Sequence, residues 1–100
     1  MLHGDRLEAG GLSIRLSSRK VYAGGREVKL TPKEYALLEC LMKNKNLVMS
    51  REQLLVKCWG YDYEGDSRAV DTHIKRLREK LGEHSDCIKT VIKAGYKLEV

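Results

Sequence analysis

Between Arg68 and Leu81 the chain sets two kinds of chemistry on what a helix would make opposite faces. Val70, Ile74, Leu77 and Leu81 recur at helical spacing and form an apolar stripe fit for a core. At about 100° per residue, Arg68, Thr72, Lys75 and Arg76 fall roughly opposite that stripe. Such a helix is anchored on one side and offers cations and a hydroxyl on the other. Its guanidinium and ammonium groups can reach guanine acceptors or phosphates, and threonine brings a methyl and a hydroxyl to a base edge. Five cations face two anions along the segment. The expected ligand is a polyanion, with DNA first among candidates.

Residues on the flanks of a groove-bound helix would meet the sugar-phosphate walls. His73 and Lys80 lie on one flank, Asp71 and Arg78 on the other. A neutral His73 imidazole can donate to a phosphate oxygen. Asp71 repels phosphate and is expected to favour the helix N-terminus or to pair with Lys75 one turn on. Glu79 also points outward, so contact should fade by that turn. Downstream, Lys89, Thr90, Lys93, Tyr96 and Lys97 lie on a basic hairpin that can touch phosphates. The same lysines would equally keep an edge strand soluble. Arg51, in the first turn of another helix, is placed for a backbone contact. Trp59 reads as core, with an indole N–H that can alternatively donate to phosphate.

The rest of the chain must hold these groups. Leu12, Ile14 and Leu16 alternate with Ser13, Arg15 and Ser17, the period of a half-buried strand. Gly24-Gly25 signals a hairpin, and residues 7–30 read as an antiparallel meander. Residues 1–6 are expected to be a tail or linker remnant, leaving 7–100 as one domain. Thr31-Pro32-Lys33-Glu34 carries a T-x-x-E capping box with proline at the first helical position. Ser50-x-x-Gln53 repeats the start signal, and Gly60 stops the second helix. The third helix, 68–81, is capped by Asp66 or Ser67 and ends near Gly82. Residues 88–100 read as a closing hairpin.

The 100 residues carry a net charge of +5, unevenly distributed. Six cations against three anions lie in 1–30, five against six in 31–67, and eight against five in 68–100. The basic balance sits on the two ends. The loop 60–67 instead interleaves Asp62, Glu64 and Asp66 with Tyr61 and Tyr63, a composition that suits a protein partner or a solvated loop. Cys40, Cys58 and Cys87 are odd in number and lack C-x-x-C spacing, so reduced thiols are expected. His84 and Cys87 are too few for a structural zinc. No metal, cofactor, catalytic constellation, membrane span or signal peptide is recognised, and a cytoplasmic, non-enzymatic protein is expected.

Four stretches together resemble the C-terminal winged-helix effector domain of OmpR/PhoB-type response regulators. They are Leu30-Thr31-Pro32-Lys33-Glu34-Tyr35-Ala36-Leu37-Leu38, Ser50-Arg51-Glu52-Gln53-Leu54-Leu55 with Trp59, Val70-Asp71-Thr72-His73-Ile74-Lys75-Arg76-Leu77-Arg78, and Thr90-Val91 through Gly95-Tyr96. The resemblance implies an α+β winged helix-turn-helix with an N-terminal four-stranded antiparallel sheet, three helices and a C-terminal β-hairpin wing. It implies that helix 68–81 reads the major groove and that wing 88–100 lies near the minor groove of double-stranded DNA. Thr72, Lys75 and Arg76 would face bases. Arg51, Trp59, Arg68, His73, Arg78, Thr90, Tyr96 and Lys97 would hold the DNA backbone, with Lys93 beside them on the wing. Loop 60–67 (Tyr61, Asp62, Tyr63, Glu64, Asp66) would meet RNA polymerase. Tandem dimers on direct repeats, a receiver domain absent from this chain and a sensor histidine kinase are the further implied partners. The family wing commonly runs Thr-Val-Arg-Gly-x-Gly-Tyr. Here Ile92 stands for the arginine and Lys93 for the glycine. The wing is therefore expected to forgo its reach into the minor groove, or to keep it weakly through Lys93. The rival expectation is a winged-helix protein-interaction module with weak or no DNA binding.

Overall fold

The computed structural model describes residues 3–100. A 3-10 turn at His3–Asp5 leads into four strands: β1 Arg6–Ala9, β2 Leu12–Arg15, β3 Lys20–Ala23 and β4 Arg26–Val28. They pair antiparallel in chain order. The register sets Leu7 opposite Ile14, Ile14 opposite Val21, and Val21 opposite Val28. One face of the meander is therefore apolar. Asp5 and Arg6, expected in a tail, belong to the fold instead. The Asp5 carboxylate accepts from the Ser17 backbone N–H at 2.7 Å and from its hydroxyl at 2.9 Å, and Arg6 opens the ladder opposite Arg15. The Asp5 bonds tie the chain entering β1 to the turn between β2 and β3. The tail expected at residues 1 and 2 lies outside the described residues.

Three helices follow: α1 Pro32–Lys43, α2 Arg51–Trp59 and α3 Arg68–Leu81. Both capping boxes form as the spacing predicts, with Thr31 and Ser50 accepting from the N–H three residues on and Glu34 and Gln53 reaching back. Gly60 ends α2 at φ 101°. At the start of α3 the hydrogen-bonding cap is Asp66, which accepts from the Arg68 N–H at 2.8 Å, while Ser67 makes no side-chain cap. The core joins Leu12, Ile14 and Val21 of the sheet to Leu37, Leu38 and Leu41 of α1, Leu54 of α2, and the Val70, Ile74, Leu77 and Leu81 stripe of α3.

A 3-10 segment, Gly82–Cys87, turns the chain into the hairpin β5 Ile88–Val91 and β6 Gly95–Leu98. The hairpin is not free on its inner side. Met49, between α1 and α2, bridges Tyr96 by two backbone bonds of 2.7 and 2.9 Å, and the Asn46 N–H donates to the Leu98 carbonyl at 2.7 Å. Gly95 has φ 139°, and a Cβ there would collide with the Met49 carbonyl and lie 2.8 Å from Ser50 Cα. Only glycine admits that approach. No helix among the described residues is long and apolar enough to cross a membrane.

Candidate nucleic-acid interface

The α3 face opposite the core behaves as its spacing predicts. Val70, Ile74, Leu77 and Leu81 are buried, while Thr72, Lys75, Arg76 and Glu79 are exposed or nearly so. Among the described residues, Lys75 and Arg76 pair with no carboxylate. Among the described residues neither cation is tied up in an ion pair. The Thr72 hydroxyl donates to the Arg68 carbonyl at 3.2 Å, which turns its oxygen toward the helix and fixes the rotamer.

The other cations divide sharply. Arg51 Nε donates to Asp71 Oδ1 at 2.7 Å, and its guanidinium lies 5.5 Å from the Tyr96 ring centroid. Asp71 therefore does not pair with Lys75, the partner that helical spacing suggests. It reaches across to α2 and the hairpin, where it accepts from both Arg51 and the Tyr96 hydroxyl. Burial pushes the Asp71 carboxyl up, but those two hydrogen bonds and the Arg51 charge outweigh it and hold the pKa below the ordinary value. Tyr96 is 5% exposed with its hydroxyl engaged, so the expected contact of Tyr96 with a DNA backbone does not survive its burial. It is a strut between hairpin and helix.

Arg78 makes a second strut. One Nη donates to the Ile88 carbonyl at 2.7 Å and to the Thr90 hydroxyl at 2.9 Å. Lys80 leaves the flank entirely and pairs at 2.7 Å with Glu34, which is 1% exposed. Arg68 is held only by an exposed pair with Asp66 at 2.9 Å, and such pairs contribute little. Lys97 makes a comparable 3.3 Å pair with Glu99. Lys89 and Lys93 are exposed on the hairpin and have no carboxylate partner among the described residues.

Trp59 is half-buried, edge-on to His73 at 5.1 Å, with Lys33 Nζ 5.4 Å from its ring centroid. His73 Nδ1 lies 2.8 Å from the Ala69 carbonyl, which assigns the hydrogen to Nδ1. In the neutral ring Nε2 is then an acceptor. His73 donates to a phosphate from Nε2 only as the imidazolium, which corrects the neutral-donor expectation. In loop 60–67, Tyr61 is 92% exposed and Asp62 and Glu64 are exposed, while Tyr63 leans on Trp59 with ring centroids 6.1 Å apart.

The links that sequence reasoning missed, Met49 to Tyr96, Asp71 to Arg51 and Lys80 to Glu34, are all long-range and fall within no local period. Cys40 and Cys58 are half-buried, and burial pushes both thiols up, Cys58 to about 12, so neither is a ready thiolate. The His84 ring packs against Gly11 and Gly24, and the Cys87 thiol donates to the His84 carbonyl at 3.4 Å. Among the described residues no three metal-ligating side chains converge.

Residues 25–98 match the family described as "Transcriptional regulatory protein, C terminal". Among curated proteins the chain is similar to the transcriptional regulatory protein SrrA of Staphylococcus aureus. The two are 50% identical over an alignment covering 96% of this chain and 42% of SrrA. The chain thus spans less than half the length of that relative. Among solved structures it resembles the Klebsiella pneumoniae RstA DNA-binding domain in complex with the RstA box, with TM-score 0.83 and 34% identity, covering 94% of this chain and 96% of that one. It also resembles the Thermotoga maritima response regulator DrrB, an OmpR/PhoB homologue, with TM-score 0.85 and 30% identity over 96% of this chain and 45% of that one.

Proposed function

The chain belongs to the transcriptional regulatory protein C-terminal family, the winged-helix effector domains of OmpR/PhoB-type response regulators, and from that premise we propose that it binds double-stranded DNA sequence-specifically to regulate transcription. The carrying observation is the face of α3. A helix fixed on its inner side by four buried residues presents Thr72, Lys75 and Arg76 to solvent, with both cations free of carboxylate partners among the described residues. A major groove admits such a helix, and Arg76 has the fork that matches guanine O6 and N7. The rival protein-interaction reading leaves those unpaired cations without a use.

The backbone-holding set follows from how each cation is engaged. Arg68, Lys93 and Lys97 are exposed or weakly paired and can meet phosphates directly. Arg51 and Arg78 each have spare N–H groups beyond their internal bonds. The Trp59 indole lies on α2 with Arg51, and Thr90 lies on β5, where Arg78 reaches it. His73 joins when protonated. Loop 60–67 presents Tyr61, Asp62 and Glu64, an aromatic and acidic surface unsuited to DNA and suited to a protein such as RNA polymerase. In the whole regulator, a receiver domain and a sensor histidine kinase would control tandem dimers on direct repeats.

Selection of bound sites from a random duplex pool, followed by titration of variants, tests the reading. Arg76→Ala is expected to cost ~1–3 kcal/mol and relax base preference at one position. Lys97→Ala should weaken all sequences about equally and flatten the salt dependence. An Arg76→Ala protein with unchanged affinity and site preference would remove α3 as the reader.

A further inference from the structure

Ile92 stands where the resemblance places an arginine, and its exposure is unusual for so apolar a side chain. It is 80% exposed, at the tip of the hairpin. The turn Val91–Ala94 is closed by a 2.9 Å bond from the Ala94 N–H to the Val91 carbonyl. Ile92 and Lys93 are its two central residues. Lys93 adopts φ 65°, a left-handed conformation that costs a side-chain-bearing residue free energy and that glycine takes freely. The tip thus presents one branched aliphatic group beside a cation held there despite strain. Lys89 and Lys97, directly opposite each other across the strands, make the hairpin behind it basic.

The strands behind this tip are anchored to the rest of the fold. β6 is bridged to Met49 on one side, Arg78 holds Ile88 and Thr90 on β5, and the Tyr96 hydroxyl is fixed to Asp71 of α3. The hairpin is positioned by the same helix that carries Thr72, Lys75 and Arg76. A duplex seated on α3 would meet a braced, basic hairpin whose foremost group is apolar.

We propose that Ile92 packs against the floor of the DNA minor groove flanking the α3 site, and that it selects A·T over G·C pairs there. The inference rests on the DNA-binding reading above. Its physical basis is the minor-groove pattern. A G·C pair projects the guanine N2 amino group into the groove, whereas an A·T pair leaves adenine C2–H at that place. An aliphatic group can lie against C2–H. Against the amino group it would clash and strip water from a donor it cannot satisfy. Apolar side chains are used in minor grooves by other protein classes, with cations beside them for phosphates. Lys89, Lys93 and Lys97 supply those cations, so Ile92 replaces an electrostatic reading of the groove with a steric one. On this proposal the wing keeps a minor-groove contact through Ile92, in place of the expected loss or weak reach through Lys93.

Inosine separates the grooves, because an I·C pair looks like G·C in the major groove and lacks the N2 amino group in the minor. The probe is the best duplex recovered from a random pool, with its flanking pairs made A·T, G·C or I·C in turn. The wild-type domain should bind the A·T and I·C flanks alike and the G·C flank about fivefold or more weakly. Ile92→Ala should bind all three flanks within about twofold, with its melting temperature unchanged because the residue is exposed. Ile92→Arg should keep the A·T preference but gain a steeper salt dependence. An I·C flank that behaves as G·C, or an Ile92→Ala protein that keeps the wild-type preference, overturns the proposal. Arg76→Ala weakening in the same series keeps the DNA reading intact when that happens. Failure to retain any duplex at low salt overturns both.

Discussion

Replacing Gly95 by alanine is expected to be among the most damaging single changes in the domain. The added Cβ would meet the Met49 carbonyl and the Ser50 Cα, which are backbone atoms and cannot rotate away. The φ of 139° adds strain for any side-chain-bearing residue. Relief requires the Met49–Tyr96 bridge to open, with loss of both its hydrogen bonds. Overpacking and backbone strain together put the cost at about 2–5 kcal/mol. In a domain this size that lowers Tm on the order of 10–20 °C by calorimetry. A shift below about 3 °C would show that the hairpin can leave Met49 without consequence. DNA affinity should fall with stability, because the same bridge seats the hairpin beside α3.

The second large effect concerns Lys80 and Glu34. The Glu34 carboxylate is 1% exposed, accepts from the Thr31 N–H at 2.9 Å and from Lys80 Nζ at 2.7 Å, and links the start of α1 to the last turn of α3. Burial pushes its pKa up, but Lys80 and Thr31 outweigh that, and the net shift is downward. Lys80→Ala removes the counter-charge and leaves the carboxylate buried. Breaking a wholly buried pair costs about 3–5 kcal/mol. Because Lys80 is 39% exposed, water screens the pair, and about 2–3 kcal/mol is expected. The sign with pH is distinctive. In the wild type a depressed carboxyl contributes stability above its unfolded value, and that stability is lost as pH falls through the folded value. In Lys80→Ala burial acts unopposed by the lysine, so protonation relieves the damage. The stability gap between the two proteins should be widest at neutral pH and narrow on acidification. A gap independent of pH would mean that Lys80 acts through packing of its aliphatic stem and not through charge.

Both predictions concern features that the sequence does not announce, and the reason is common to them. Local rules reveal what is decided within one turn or one strand. The capping boxes at Thr31 and Ser50, the stop at Gly60 and the buried stripe of α3 are such decisions, and each is legible from spacing alone. So is the exposed trio Thr72, Lys75 and Arg76, because it is the complement of that stripe. Glu34 has a sufficient local role in the capping box, which hides the burial that makes it pair with a lysine 46 residues away. Asp71 has a plausible local partner at Lys75, yet it pairs with Arg51 because the helix packing brings α2 and the hairpin closer. Met49 forms a one-residue bridge and so has no period to detect. Tyr96 is polar and available by type, but its ring lies beneath two guanidiniums and its hydroxyl is held at Asp71.

Tyr96 joins the hairpin to α3, while its backbone joins the hairpin to the chain between α1 and α2. The two surfaces proposed to face DNA are thereby braced in one relative orientation before any ligand arrives. Association then forfeits little internal freedom, so more of each interaction remains as affinity. The same stiffness narrows tolerance: a duplex whose two grooves do not match that fixed span must itself bend, and sequences that bend at lower energetic cost will be favoured at positions no side chain touches.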